Sequence, residues 1–247
     1  MEKDFIFGIH PVMEALEAGK TFDKVFVQNG LLGDNIRILK LKLGKAGIPI
    51  KYVPVEKLNR LTRKNHQGVC AFLSPIQFFT IEDVIPQLFE EGKMPFILIL
   101  DHLTDVRNFG AVCRTAEITG VDAIVIPEEG AAPINSDSIK TSAGAIFNLK
   151  ICKEKSLIKV LDFLKLSGIK VVCATEKTDK LIYEEELPLP LAVIVGNEEK
   201  GISRDLLKNA DVKLKLPILG KTDSLNVSVA CGAFLYEVVR QNLKSIQ

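Results

Sequence analysis

The feature that most limits how this 247-residue chain can fold is a series of short, continuous apolar runs at 96–100, 123–126, 170–174, 191–195 and 212–216. Stretches with helical spacing at 108–119, 157–166 and 203–208 separate them. A strand that is apolar on both faces must be covered on both faces, and strands joined through helices run in the same direction. The pattern therefore predicts a parallel sheet between layers of helix. The first third reads differently. Runs at 24–28, 50–53 and 69–72, with a helix around 36–45, predict a separate small α/β domain over 1–74. Ser74-Pro75 opens a linker over 75–80, and the second domain occupies 81–247, beginning with a helix over 82–91 that Gly92 closes.

At 47% hydrophobic content the chain can bury two cores. No apolar run reaches the length needed to span a bilayer, and Met1-Glu2-Lys3-Asp4 is too charged for a secretory leader, so a cytoplasmic protein with no membrane partner is expected. Cys70, Cys113, Cys152, Cys173 and Cys231 are odd in number and widely spaced, and no Cys-x-x-Cys occurs. They read as buried thiols of a reducing compartment, with no metal site expected. The net charge of +1 hides an asymmetry: residues 1–74 carry 12 lysines and arginines against 7 acids, a net +5, and the remainder carries 20 against 24, a net −4. A polyanion would be drawn to the amino-terminal part, although five excess charges also serve plain solubility.

Two strand ends open into glycine. One is Val195-Gly196-Asn197-Glu198-Glu199-Lys200-Gly201, and the other is Leu216-Pro217-Ile218-Leu219-Gly220-Lys221-Thr222-Asp223-Ser224-Leu225-Asn226-Val227-Ser228. Backbone groups freed at such ends, unobstructed by a side chain, suit a ligand. Gly19-Lys20-Thr21 and Gly220-Lys221-Thr222 mimic the end of a phosphate loop, but the glycine required five residues earlier is Glu14 in one and Lys215 in the other. Asn108 fits a cap for the helix that follows as well as a functional amide, and Ser224 and Asn226 fit alternative caps of the last helix. Arg114 lies off the apolar stripe of Phe109, Val112, Cys113 and Ala116, where a solvated arginine is the plain alternative. Glu198 fits a loop carboxylate or a partner for Asn108 or Arg114. Arg60, Lys64 and His66 form a basic cluster suited to a solvated turn or to RNA backbone. The final helix, 227–243, is apolar nearly all round, which fits a subunit interface as well as a core, with Phe234 and Val238 as interface candidates.

Together with Asn108-Phe109-Gly110-Ala111-Val112-Cys113-Arg114-Thr115-Ala116-Glu117, the two glycine-bearing segments resemble, in order and spacing, the three motifs of the SpoU (TrmH-type) RNA 2′-O-ribose methyltransferases. Gly8-Ile9-His10-Pro11-Val12 and Asn65-His66-Gln67-Gly68-Val69 resemble the amino-terminal domain of the branch acting on a guanosine of 23S rRNA. Where family members commonly carry Asp-Pro-x-Asn, this chain has Asp105-Val106-Arg107-Asn108. The resemblance implies a SPOUT-type parallel-sheet catalytic domain with a deep trefoil knot at its carboxyl end, behind a small L30e-like RNA-binding domain. It also implies S-adenosylmethionine as cofactor, RNA as substrate and a homodimer. Catalytic roles fall to Arg114, Asn108, Glu198, Ser224 and Asn226, cofactor contacts to Thr175, Gly196, Leu216, Ile218 and Leu225, and RNA contacts to Arg60, Lys64, His66 and Arg107. The same chemistry on tRNA, or a silent RNA-binding assembly factor, are the alternatives.

Overall fold

The structure, a computed structural model, describes residues 5–222 and 224–246. Met1-Glu2-Lys3-Asp4 and Asp223 of the third motif lie outside them. The chain divides into two compact units, one ending at Gln77 and the other starting at Phe78.

The first unit runs β1 (Phe5–Phe7), α1 (Ile9–Glu17), β2 (Phe22–Gln28), α2 (Asp34–Lys45), β3 (Ile50–Val53), α3 (Val55–Leu61) and β4 (Val69–Leu73). Its strands lie in the order β1-β4-β2-β3; β4 is antiparallel to both of its neighbours and β2 is parallel to β3. Successive side chains of a strand point to opposite faces. Accordingly Val25, Val27, Val69 and Ala71 join Val12, Leu39 and Leu43 in one core, while Phe26 and Cys70 join Val53 and Leu58 in another. The two segments that carried the amino-terminal resemblance meet here. Gly8 N–H donates to Val69 O at 2.9 Å, and Ile9 N–H donates to Gln67 Oε1 at 3.1 Å, so Gln67 supplies an acceptor at the start of α1.

The second unit runs β5 (Phe78–Phe79), α4 (Ile81–Glu90), β6 (Phe96–Leu100), α5 (Val106–Ile118), β7 (Ala123–Pro127), α6 (Ser136–Thr141), β8 (Lys150–Glu154), α7 (Leu157–Leu166), β9 (Lys170–Ala174), β10 (Leu191–Val195), α8 (Arg204–Asn209), β11 (Val212–Leu214) and α9 (Val227–Ile246). Among the described residues these form one parallel sheet in the order β11-β9-β10-β6-β7-β8-β5. One face packs Ile97, Ile99, Val125, Val171 and Ile194 against apolar residues of α4, α7 and α8. Leu98, Leu100, Ile124 and Val193 of the other face are also buried, as are Phe109, Val112 and Cys113 of α5 and Cys231, Phe234 and Leu235 of α9, which packs on α5.

Phe78 and Phe79, within the stretch read as linker, pair with Ile151 and Cys152 as an edge strand of this sheet. β8 was not foreseen because Lys150-Ile-Cys-Lys-Glu sets only two apolar residues among charges. β11 stops at Leu214, two residues short of the apolar run, because the chain then leaves β9 for the 180–182 turn. Lys215 N–H donates to Lys180 O, and Ile182 N–H donates to Lys215 O, both at 3.0 Å. Phe234 and Val238 are 2% and 1% exposed, inside the chain's own core, so they are not surface residues available to a second subunit. The exposed stripe of α9 is Val229, Ala233, Tyr236 and Leu243.

Candidate active site

β6 and β10 lie side by side at the centre of the sheet, and the chain leaves their carboxyl ends in different directions, toward β7 and toward β11. Such a divergence of loops leaves a crevice at the carboxyl ends of the strands. Asp105, not Asn108, caps α5: its Oδ1 accepts the Asn108 N–H at 2.7 Å. Of the two readings open for Asn108, cap or functional amide, the cap falls to Asp105, which leaves the Asn108 amide free for other partners. Asn108 Nδ2 donates to Glu198 Oε1, and Asn108 Oδ1 accepts from Asn226 Nδ2 at 3.2 Å. Asn226 also serves as the cap expected of it, because its Oδ1 accepts the Ser228 N–H at 2.9 Å at the start of α9 while its Nδ2 reaches Asn108.

The loop carrying Glu198 is folded tightly on itself. Asn197 and Gly201 exchange backbone hydrogen bonds of 3.2 and 2.8 Å, and Asn197 Oδ1 accepts the N–H groups of Glu199 and Lys200. Asn197 Nδ2 donates to His102 O at 3.0 Å, tying the β10 loop to the β6 loop. A Cβ at Gly196 would lie 2.3 Å from Gly201 C and from Ile202 N. The space on the Cβ side of Gly196 is therefore taken by the protein's own backbone, so the glycine is what lets this loop fold back. Gly110 serves similarly, since a Cβ there would lie 2.7 Å from Thr141 Cβ on α6. At Gly220 a Cβ would meet nothing within 4 Å.

Beside this network lies a pocket of about 100 Å³, lined by Thr175 and Glu176 after β9, Val195 at the end of β10, Leu216, Ile218, Ser224 and Leu225 from the loop before α9, and Phe234. Thr175 is buried, whereas Ile218 and Leu225 are 44% and 49% exposed. Four of the five residues expected to contact a cofactor thus line one cavity, and Ser224 lies among them. Half-exposed aliphatic side chains lining a cleft suit the face of a purine, and the Thr175 hydroxyl and backbone groups of the loop suit its polar edge. The pocket fits an adenosyl group.

Arg114 stands exposed on α5, and no salt bridge to it occurs among the described residues; Arg107 is exposed in the first turn of the same helix. In the first unit Arg60 and Lys64 are exposed, but His66 is buried. Its Nδ1 accepts the Gly68 N–H at 3.0 Å and its Nε2 lies 2.9 Å from Asn59 Oδ1. Both nitrogens are used within the turn, so His66 shapes that turn and leaves no nitrogen free for RNA. Sequence reasoning missed Asp101, a buried carboxylate whose Oδ2 accepts the Ser203 N–H at 2.6 Å and whose Oδ1 lies 2.5 Å from His102 Nδ1. An acid directly after a five-residue apolar run was the available signal. No group of three or more His, Cys, Asp or Glu placed to hold a metal occurs among the described residues, and no helix there is long and apolar enough to cross a membrane.

Residues 95–236 match the SpoU rRNA Methylase family, and residues 5–79 match the family described as RNA 2′-O ribose methyltransferase substrate binding. The chain belongs to the SpoU rRNA methylase family. A Bacillus subtilis relative named as a TrmH family tRNA/rRNA methyltransferase, YacO, is 34% identical over 97% of this chain and 96% of its own length. The SpoU methyltransferase AviRb of Streptomyces viridochromogenes, solved with AdoMet, shares the fold with a TM-score of 0.62 at 22% identity, over 97% of this chain and 90% of that one. A crystal structure of an RNA 2′-O ribose methyltransferase superposes with a TM-score of 0.57 at 26% identity, over 97% and 88% of the two chains. Family membership makes the chain an RNA methyltransferase, and the silent assembly factor falls away.

Proposed function

We propose that this protein transfers a methyl group from S-adenosylmethionine to a ribose 2′-hydroxyl of RNA, acting in the cytoplasm on a guanosine of 23S rRNA. The observation that carries this reading is the joining of Asn108, Glu198 and Asn226 from three separate segments, beside a pocket suited to an adenosyl group. When bound, the cofactor supplies an electrophilic methyl on a sulfonium. Thr175, Leu216, Ile218 and Leu225 hold its adenosyl part; Gly196 serves indirectly, by letting the Glu198 loop fold back. Asn108, Glu198 and Asn226 fix the first turns of α5 and α9 to each other, and Ser224 faces the pocket beside them. The chain's chief contribution to an in-line displacement is alignment and charge. Arg114 acts on the ribose oxygen or the adjacent phosphate. A guanidinium keeps its proton throughout the range in which a protein is folded, so Arg114 stabilises a developing alkoxide and does not serve as a base.

The first unit supplies RNA affinity through its net +5 and exposed Arg60 and Lys64, and Arg107 adds a contact on the second. Two further parts of the reading rest on family membership. The segment between β11 and α9 is tucked into a deep trefoil knot, and the exposed stripe Val229, Ala233, Tyr236 and Leu243 of α9 packs against a second copy. A tRNA substrate is the second reading, favoured by the name of the Bacillus relative, which covers both RNAs. Mapping ribose methylation on total RNA from a strain lacking the gene decides between them: a lost mark on 23S rRNA supports the first reading, and one on tRNA the second. Arg114→Lys tests the role of the arginine, because it keeps the charge and loses the planar fork. It is expected to recover little turnover, and near-normal turnover would reduce Arg114 to a simple positive charge.

A further inference from the structure

One histidine of the second unit is held in place with no part in the reading above. His102 stands two residues after β6, with φ at 57°, a left-handed conformation that glycine adopts freely and other residues adopt at a cost. Its Nδ1 lies 2.5 Å from Oδ1 of Asp101, which is 2% exposed, and the other oxygen of that carboxylate is occupied by the Ser203 N–H. The ring is seated a second time by Gly130, where a Cβ would lie 2.6 Å from His102 Cδ2. A third tie comes through the backbone, since Asn197 Nδ2 holds the His102 carbonyl at 3.0 Å, one residue before Glu198. Yet the imidazole is 58% exposed, and its Nε2 has no hydrogen-bond partner among the described residues. A buried carboxylate, a glycine and a left-handed backbone thus fix the orientation of a ring whose far nitrogen faces solvent at the carboxyl edge of the sheet. The β10 loop beside it also carries the exposed Lys200.

Packing does not explain this arrangement. The Asp101 carboxylate already anchors Ser203 without the ring, and glycine at position 102 would relieve the backbone. We propose that His102 is an RNA-contacting residue whose Nε2–H donates to a phosphodiester of the substrate strand at the lip of the cleft. Asp101 takes the Nδ1 side of the ring and leaves Nε2 aimed outward; a phosphodiester seated there holds a proton on Nε2, the arrangement of a fixed, directional phosphate contact. The contact sets RNA affinity and register, and leaves the chemical step to the residues around Asn108 and Arg114. This inference rests on the RNA methyltransferase reading.

The test compares wild type with His102→Gly, which suits the left-handed backbone, and with His102→Asn, which tolerates it and keeps a polar group. Filter binding of a 23S rRNA fragment reads RNA affinity without turnover, labelled S-adenosylmethionine reads kcat, and calorimetry reads cofactor affinity. Both variants are expected to bind cofactor normally and keep kcat within about twofold, while RNA binds about tenfold more weakly. The slope of log affinity against log salt is expected to fall by about 0.7–0.9, the share of one phosphate contact. Unchanged RNA affinity with folded variants, weaker binding with the wild-type salt slope, or loss of kcat at unchanged affinity would each overturn the assignment. The RNA methyltransferase reading fails separately, by an absence of ribose methylation in the wild type, because filter binding of the variants is independent of it.

Discussion

Gly196→Ala puts the account of the Glu198 loop at most risk. The added Cβ would lie 2.3 Å from Gly201 C and Ile202 N and 2.6 Å from Gly201 O. Carbon contacts settle at about 3.5–4.0 Å, so the 201–202 backbone must retreat by more than about 1 Å. That retreat breaks the two hydrogen bonds between Asn197 and Gly201 and draws the Ser203 N–H away from the buried Asp101 carboxylate. Two neutral bonds at about 1 kcal/mol each and one to a charged group at about 1.5–3 kcal/mol give a loss of roughly 3–5 kcal/mol. At about 2–4 °C per kcal/mol for a unit of this size, Tm should fall by roughly 6–20 °C. Glu198 leaves Asn108 in the same movement, and cofactor affinity measured by calorimetry should fall with it. Gly220→Ala is the control: its Cβ meets nothing within 4 Å, so Tm should stay within about 2 °C and cofactor affinity should be unchanged. A Gly196→Ala protein with wild-type Tm and affinity refutes the loop packing. A Gly220→Ala protein that loses affinity would show that open backbone there meets the cofactor after all.

Sedimentation should give twice the 27.2 kDa chain mass; Val229→Glu or Tyr236→Glu should yield folded monomers, whereas Phe234→Glu should unfold the chain, and a wild-type monomer at micromolar concentration counts against the α9 stripe as an interface. The thiols should resist alkylation in the native protein at about pH 8, because desolvation pushes Cys152, Cys173 and Cys231 up to about 12 and Cys70 to about 11. Mass spectrometry after iodoacetamide reads this, and native labelling as fast as in denaturant is the contrary result. Hydrogen bonds from Lys170 and Lys180 hold the Glu185 carboxyl below its ordinary 4.5, so its stabilisation is complete above that value and drains as pH falls through the lowered folded value. Burial pushes Asp122 and Glu154 the other way, so the informative quantity is the Tm difference between wild type and Glu185→Gln. It should shrink between about pH 6 and about pH 3, and a constant difference would remove the ion pairs from the explanation.

The parallel sheet was legible because burial on both faces leaves a plain signature in the chain. The runs at 96–100, 170–174 and 191–195 coincide with β6, β9 and β10. What escaped were elements whose burial is partial or whose ends are set by distant partners. β5 is two residues long and exists only because β8 offers it an edge, and β8 holds just two adjacent apolar residues between charges. The end of β11 is decided by the 180–182 turn, some thirty residues earlier in the chain. α9 shows the same limit: periodicity marked it as apolar nearly all round, but only its position on α5 decides that Phe234 and Val238 face inward and Val229 and Tyr236 outward.

At the site, the residues were legible as types and illegible as partners. Asn108, Glu198 and Asn226 are ordinary loop and cap residues when taken one at a time, and their meeting depends on β6 and β10 being neighbours, which no local pattern encodes. Capping and contact across the site do not compete at Asn226. Asp105 takes over the cap of α5, which releases the Asn108 amide, and Asn226 spends its oxygen on Ser228 while its Nδ2 reaches Asn108. The absence of proline at Val106 fits this economy. The first turn of α5 is fixed by the Asp105 side chain at its start and by Asn108 against Glu198 and Asn226, so it does not depend on a ring-locked φ to hold its geometry. Asn226 is thus placed by the hydrogen bond that starts α9, and its remaining amide donor is aimed at the Asn108 that the cap of α5 has left free.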